Sequence, residues 1–164
     1  MTSVSGNGSA GDGSVAVVAQ YMRGFALDNP NAPMILLNSL RENPQLDVSV
    51  DVAARLLAPG QYEVVLFLKA KAKLGDEDAF NCELSYGGTF QLDGLPAAEI
   101  HPTLFVDCPR LLFPFARSII ANATRDAGYP PLLIHPIDFD GLYAQKGDQA
   151  KIEGMESGHE PGTA

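Results

Sequence analysis

Residues 46–52, Leu-Asp-Val-Ser-Val-Asp-Val, alternate apolar and polar without a break. Period 2 is the signature of a strand with one buried face; a helix would scatter these side chains around its circumference. Leu46, Val48, Val50 and Val52 therefore point one way, and Asp47, Ser49 and Asp51 the other. A single half-buried strand is not stable alone, so the chain must supply neighbours with matching faces.

Three other stretches do so. Residues 61–74 place Tyr62, Val64, Leu66, Leu68, Ala70, Ala72 and Leu74 on one face, with Glu63, Lys69, Lys71 and Lys73 on the other and Val65 and Phe67 as apolar exceptions. Ala58-Pro59-Gly60 marks the turn before this strand. Residues 79–92 return, with Phe80, Cys82, Leu84 and Tyr86 on the apolar side and Asn81, Glu83 and Ser85 on the polar side. A hairpin loop of about five residues at 75–79 pairs Leu74 with Phe80 and Ala72 with Cys82, and sets Lys71 opposite Glu83. Gly87-Gly88 suits a bulge or sharp bend. Residues 16–28 form the fourth strand, with Tyr21, Phe25 and Leu27 of one parity and Gln20, Gly24 and Asp28 of the other. Asn29-Pro30-Asn31-Ala32-Pro33 ends it, because proline fixes φ and lacks a donor. Residues 34–40 read as a short strand or a connector.

The polar face of this sheet carries Asp28, Asp47, Asp51, Glu63 and Glu83, offset by a lysine row at one end. Two readings stay open: an ordinary solvated face, or a docking surface for a basic partner.

Residues 94–106 link the sheet to a helix expected over 108–127, with room for a short helix between. Asp107 is the expected N-cap and Gly128 the residue just past the C-terminus. Leu111, Leu112, Phe115, Ile119 and Ala123 recur at helical spacing. Phe113, Ala116 and Ile120 widen the stripe beyond the ~100° that packing on one sheet uses. The surplus points to a second neighbour, most simply another copy of the chain, with Leu112, Phe115 and Ile119 at the contact. Residues 129–137, rich in proline, cross over in extended form. Asp138 caps a last, shorter helix with Phe139, Leu142 and Tyr143 on one face.

No catalytic constellation accompanies these elements. His101, His135 and His159 lack ligand spacing. No Gly-x-Ser-x-Gly elbow, phosphate-binding glycine loop or dinucleotide fingerprint occurs. Nothing marks Cys82 or Cys108 as an activated thiol. Asp76 and Asp78 read as turn residues, and Asp138 and Asp140 as helix-start residues. The chain is read as a non-enzyme, with no metal and no cofactor.

Charge and composition narrow the partners. The net charge is −9 and belongs mostly to the folded body. No nucleic acid partner and no direct membrane insertion are expected, because phosphate binding needs a basic footprint. No apolar run approaches the ~20 residues of a bilayer span, and the N-terminus lacks a secretory signal pattern. Two cysteines in apolar settings suit a reducing compartment, so a cytoplasmic protein is expected. Residues 1–15, rich in Gly and Ser, and 147–164 read as disordered tails flanking one domain at 16–146.

Seven pieces of the chain, in order and spacing, resemble the SecB family of bacterial protein-export chaperones. They are Asn29-Pro30-Asn31-Ala32-Pro33, Tyr62-Glu63-Val64-Val65, Leu74-Gly75 with the acidic run to Asp78, Cys82-Glu83 with Gly87-Gly88, Cys108 to Arg117, Pro130-Pro131-Leu132, and Pro136 to Tyr143. The resemblance implies an α+β fold: a four-stranded antiparallel sheet, a long helix, a Pro-rich crossover and a shorter C-terminal helix. It implies a homotetramer built as a dimer of dimers. It implies a holdase that binds unfolded secretory precursors and passes them to the translocase ATPase SecA.

By the family's pattern, Asp28 and Glu83 match acidic SecA contacts, while Gly24 and Asn81 depart from it; Asp47 and Asp51 are further acids on the same face. Client grooves in the family use a strand, the crossover and the last helix. By position these are Leu46, Val48 and Val50, then Leu132, Leu133 and Ile134, then Phe139, Leu142 and Tyr143. Plain core packing, or burial at an assembly interface, would leave the same sequence pattern. The alternatives to an export role are a SecB-like chaperone for a toxin–antitoxin partner and a small-molecule-binding oligomer.

Overall fold

A computed structural model describes residues 2–4, 13–38, 43–146 and 150–155. The alternating stretches become four long strands: β2 (Ser14–Asp28), β3 (Gln45–Ala58), β4 (Gln61–Leu74) and β5 (Glu77–Asp93). Two short strands, β1 (Thr2–Val4) and β6 (Ile152–Glu153), complete a sheet of order β1-β2-β5-β4-β3-β6. The long strands pair antiparallel throughout. β1 and β6 fall within the segments expected as tails, which otherwise lie largely outside the described residues. β1 pairs with Val15–Val17, and β6 runs parallel to β3 at Ala54–Arg55.

The β4–β5 hairpin is tighter than expected. Leu74 pairs with Glu77 across Gly75-Asp76, and Gly75 has a φ of +61°. Two loop residues replace five, which alone would slide the register by three, but a bulge at Ala79, between the Lys73–Asp78 and Ala72–Phe80 pairs, takes one residue back: Ala72 meets Phe80, Ala70 meets Cys82, and Lys69, not Lys71, stands opposite Glu83. An even shift keeps each side chain on its expected face, so the sheet's sidedness survives the error.

β2 departs more. Register shifts between Val17 and Ala19 and between Met22 and Gly24 insert bulges. Each bulge reverses the alternation. Phe25 and Leu27 stay on the core side, opposite Leu84 and Cys82, but Tyr21 turns to the polar side and hydrogen-bonds Glu63. Gly87-Gly88 is not itself bulged, since its pairing with Val65 and Val64 is regular. The pair is small because both sides are occupied: a Cβ on Gly87 would lie 2.9 Å from the Tyr21 ring, and one on Gly88 2.9 Å from Leu112 Cδ2.

Of the stretch at 34–40, the described part is neither strand nor plain connector, and residues 39–40 lie outside the described residues. Met34–Asn38 forms a short helix, α1. Its entry is clamped: the Asn29 amide donates to the Ala127 carbonyl (2.9 Å), Asn31 donates to the Asp78 carbonyl (2.8 Å), and the Tyr129 hydroxyl donates to Asn29 Oδ1 (2.8 Å). The Asn-Pro-Asn-Ala-Pro stretch thereby ties the end of β2 to the hairpin and to the long helix.

That helix, α3 (Cys108–Asp126), follows α2 (Ala97–Pro102) and a π-helical turn at Thr103–Asp107. The three run together, so Asp107 has helical backbone angles (φ −71°, ψ −43°) and caps nothing with its side chain. The expected stop holds. Gly128 adopts φ +102°, its N–H bonds the Arg125 carbonyl, and the Tyr129 N–H bonds the Thr124 carbonyl. This double bond pattern satisfies two carbonyls that the helix end leaves unpaired.

α3 lies over β4 and β5, burying Leu112, Ala116 and Ile120 completely. Thr124, also fully buried, donates to the Ile120 carbonyl (2.9 Å) and accepts from the Leu132 N–H (2.9 Å). One hydroxyl thus fixes where the crossover leaves the helix. The last helix, α4 (Phe139–Lys146), begins as expected: Asp138 Oδ1 accepts from the Gly141 N–H at 3.0 Å.

Candidate binding surfaces

α3 and the π-helical turn cover the middle of the sheet but not all of β3. Leu46 and Val48 face the helix side, opposite Ala72 and Ala70, yet remain 47% and 38% exposed. Two open depressions flank this strand. One, of about 390 Å³, brings Leu46 together with Leu132, Tyr129 and Phe80. The other, of about 510 Å³, brings Val50 and Val52 together with Phe105, Leu142 and Tyr143. The nine apolar positions singled out from sequence therefore divide. Leu46, Val50, Leu132, Leu142 and Tyr143 line the depressions, Val48 lies on the strand between Leu46 and Val50, and Leu133 is 59% exposed. Ile134 and Phe139 are buried in the core cluster, where Phe139 meets Phe113 edge-on at 6.3 Å. Neither lines a depression. Phe105 and Tyr129 escaped the sequence reading because each reads as core until the neighbouring elements are placed.

The opposite, polar face gathers the acids. Across the strands run two rows: Asp28, Asn81, Lys71, Asp47, and Ala26, Glu83, Lys69, Ser49. Asp28, Asp47 and Glu83 line a depression of about 440 Å³. The lysines stand between the acids, not in a separate row; Lys69 Nζ is 3.6 Å from Glu83 Oε1, with both side chains well exposed. Such a pair contributes little and is readily exchanged for another partner's charge.

A tighter cluster closes the same face at its other end. Glu63 is buried and accepts from the Tyr21 hydroxyl and from Arg55 Nε (2.9 Å), with Arg23 at 3.5 Å. Burial pushes the Glu63 carboxyl up, but these hydrogen bonds and the two guanidinium charges outweigh it and hold it below the usual range. Burial, then the hydrogen bond and charge of Glu63, push the Tyr21 hydroxyl up to about 12. The cluster pins the β2 bulge to β3 and β4.

The outer side of α3 is the third surface. Phe115 is 52% exposed, its ring stacked on Tyr86 at 6.3 Å, and Ile119 is half-buried. Met22, paired with Tyr86, adds exposed apolar area beside it. Leu112, expected at a contact between copies, is instead fully buried against the Gly88 position, so it belongs to the core of the single chain.

Reactive chemistry is absent from these surfaces. Both thiols are buried; burial pushes each up, and the Asp107 charge adds to the shift at Cys108. His101 spends Nδ1 on the Tyr143 hydroxyl (2.7 Å) and Nε2 on the Ala150 carbonyl (2.5 Å). Among the described residues, no group of three His, Cys, Asp or Glu could hold a metal ion, and no helix is long and apolar enough to cross a membrane.

The described residues thus form an α+β chain with uncovered apolar strand and helix faces and an acid-bearing sheet face, surfaces of the kind that meet other polypeptides. The family model described as "Preprotein translocase subunit SecB" matches residues 9–150. The protein-export protein SecB of Rhodopseudomonas palustris (strain TIE-1) is 41% identical over 155 residues, 93% of this chain and 98% of its own. That of Rhizobium meliloti (strain 1021) is 46% identical over 153 residues, 92% and 90% of the two chains. The chain belongs to the SecB family, which is a family of protein-export chaperones and not of enzymes. Its fold is also similar to the solved Mycobacterium tuberculosis SecB-like chaperone Rv1957 in complex with a ChAD peptide from the HigA1 antitoxin. The TM-score is 0.63 at 12% identity, covering 75% of this chain and 90% of that one, so the likeness concerns fold alone.

Proposed function

We propose that the protein is a cytoplasmic, homotetrameric holdase that binds unfolded secretory precursors and delivers them to SecA. The observation that carries this reading is the uncovered apolar strip of β3, with Leu46 and Val48 exposed between two open depressions. A folded client hides its apolar residues, so only its unfolded state can fill such a strip, and binding shifts the client away from folding. Each patch is small. Four copies joined through the Phe115–Ile119 side of α3 would act on one long client with high effective concentration. Asp28 and Glu83, with Asp47 beside them, present the acids to which a basic segment of SecA would dock.

The test is light scattering on the purified protein with a slow-folding precursor, followed by refolding of that precursor with and without SecA. A mass of four chains, delayed refolding, and retention of SecA at low salt are expected. A monomer that leaves refolding unchanged would overturn the holdase reading. Delayed refolding without SecA retention would favour a non-export client of the antitoxin kind.

A further inference from the structure

The edge of β3 already has an occupant from this chain. Ile152 and Glu153 of β6 lie parallel to β3, beside Ala54 and Arg55. Residues 150–153 alternate: Ala150 and Ile152 pack against the core cluster, while Lys151 and Glu153 are exposed. Addition to an open sheet edge is how an extended peptide joins a sheet, and the parallel direction shows that no hairpin brought this segment there.

Two features hold the segment. His101 Nε2 donates to the Ala150 carbonyl at 2.5 Å, which ties it to Tyr143 of α4 through the other ring nitrogen. A turn then stops the strand: the Met155 N–H bonds the Ile152 carbonyl at 3.3 Å, around Gly154 at φ +84°. Ala150 also lines the 510 Å³ depression with Val50, Leu142 and Tyr143. The same edge of β3 has no strand partner over residues 45–53 among the described residues.

We propose that the segment 150–155 is a built-in competitor for clients. It is an extended strand of alternating apolar residues that closes one end of the client surface, and a client strand running along β3 displaces it. The proposal rests on the holdase reading above. Its consequence is selectivity for length. The apparent affinity is the affinity of the open state multiplied by the fraction of molecules that are open, so a short apolar peptide binds poorly. A long unfolded chain engages several patches at once and overcomes the same barrier.

The experiment compares the full chain, a chain truncated after residue 149, and the Ile152→Asp and Ile152→Ser variants. Amide hydrogen exchange reads the edge at 53–56, and titration with one unfolded precursor and one short apolar peptide reads binding. Truncation and both substitutions should speed exchange at 53–56. They should tighten short-peptide binding about three- to tenfold, with a smaller gain for the long precursor. Faster exchange with unchanged peptide affinity would overturn the competition while leaving the holdase intact. Unchanged exchange in the truncated chain would overturn the docked segment itself. Absence of precursor binding by every form, the full chain included, would overturn both this proposal and the holdase reading.

Discussion

β3 and β4 are neighbours with nearly the same sequence pattern and opposite fates. Both alternate apolar and polar residues. In β4, Leu66, Leu68, Ala70 and Ala72 are buried under α3 and the elements beside it. In β3, Leu46 and Val48 stand directly opposite Ala72 and Ala70 and remain open. The difference lies in what lies above them, not in the strands. A helix covers a limited width of sheet, and this one is placed over β4 and β5. The lesson is that an apolar face is a core or a binding surface according to the element that happens to cover it.

The sharpest way to break this contrast is to truncate matching positions. Leu68→Ala should cost about 2–5 kcal/mol, because a cavity opens under the helix. Leu46→Ala should cost under about 1 kcal/mol, as at an exposed site. Equal shifts in urea midpoint would place β3 in the core and remove the basis for a client surface there.

The seam where the two strands meet on the polar face gives the next effect. Glu63 of β4 accepts from Arg55 of β3, and its pKa is held below the usual range. A depressed folded-state value means the stabilisation is complete above the unfolded value and is lost as pH falls through the folded one. Glu63→Gln should cost about 1–3 kcal/mol at neutral pH, and its stability should fall less steeply than wild type below pH ~4. Parallel acid profiles for the two proteins would assign the acid sensitivity elsewhere.

Val48→Asp tests the open strand by function. Client dissociation constants should rise about tenfold, or ~1.4 kcal/mol, with the urea midpoint little changed. A large loss of stability at unchanged affinity would make Val48 a packing residue. Glu83→Lys, on the far face, is the control with the smallest expected effect. It should weaken SecA several-fold at low salt, less as salt screens the charge, and leave client affinity alone. A matching loss for clients would show that the two faces do not act separately.

Much of this was legible in the chain. Alternation at 46–52, 61–74 and 79–92 determined three strands and their faces, since only period 2 places those residues together. Helical spacing and Gly128 set α3 and its end, and Asp138 set the start of α4. Where local signals met non-local geometry, the reading failed. The tight Gly75-Asp76 turn and the bulge at Ala79 just behind it together moved the hairpin register by two. The bulges in β2 sent Tyr21 to the polar face, where its partner is Glu63, 42 residues away. The continuous run from α2 into α3 removed Asp107 from its capping role.

The candidate surfaces divide the same way. The apolar character of Leu46, Leu132, Leu142 and Phe115, and the acidity of Asp28 and Glu83, are properties of the sequence and would be there in any fold. Which of them reach solvent is not. Leu112 and Phe115 sit three residues apart on one helix, yet one is sealed against Gly88 and the other lies open. Ile134 and Leu133 are adjacent, and only the second is exposed. Sequence determined what could be buried, because hydrophobicity and periodicity are local. The tertiary structure decided what was left uncovered, because coverage depends on where a helix and a crossover from distant parts of the chain come to rest.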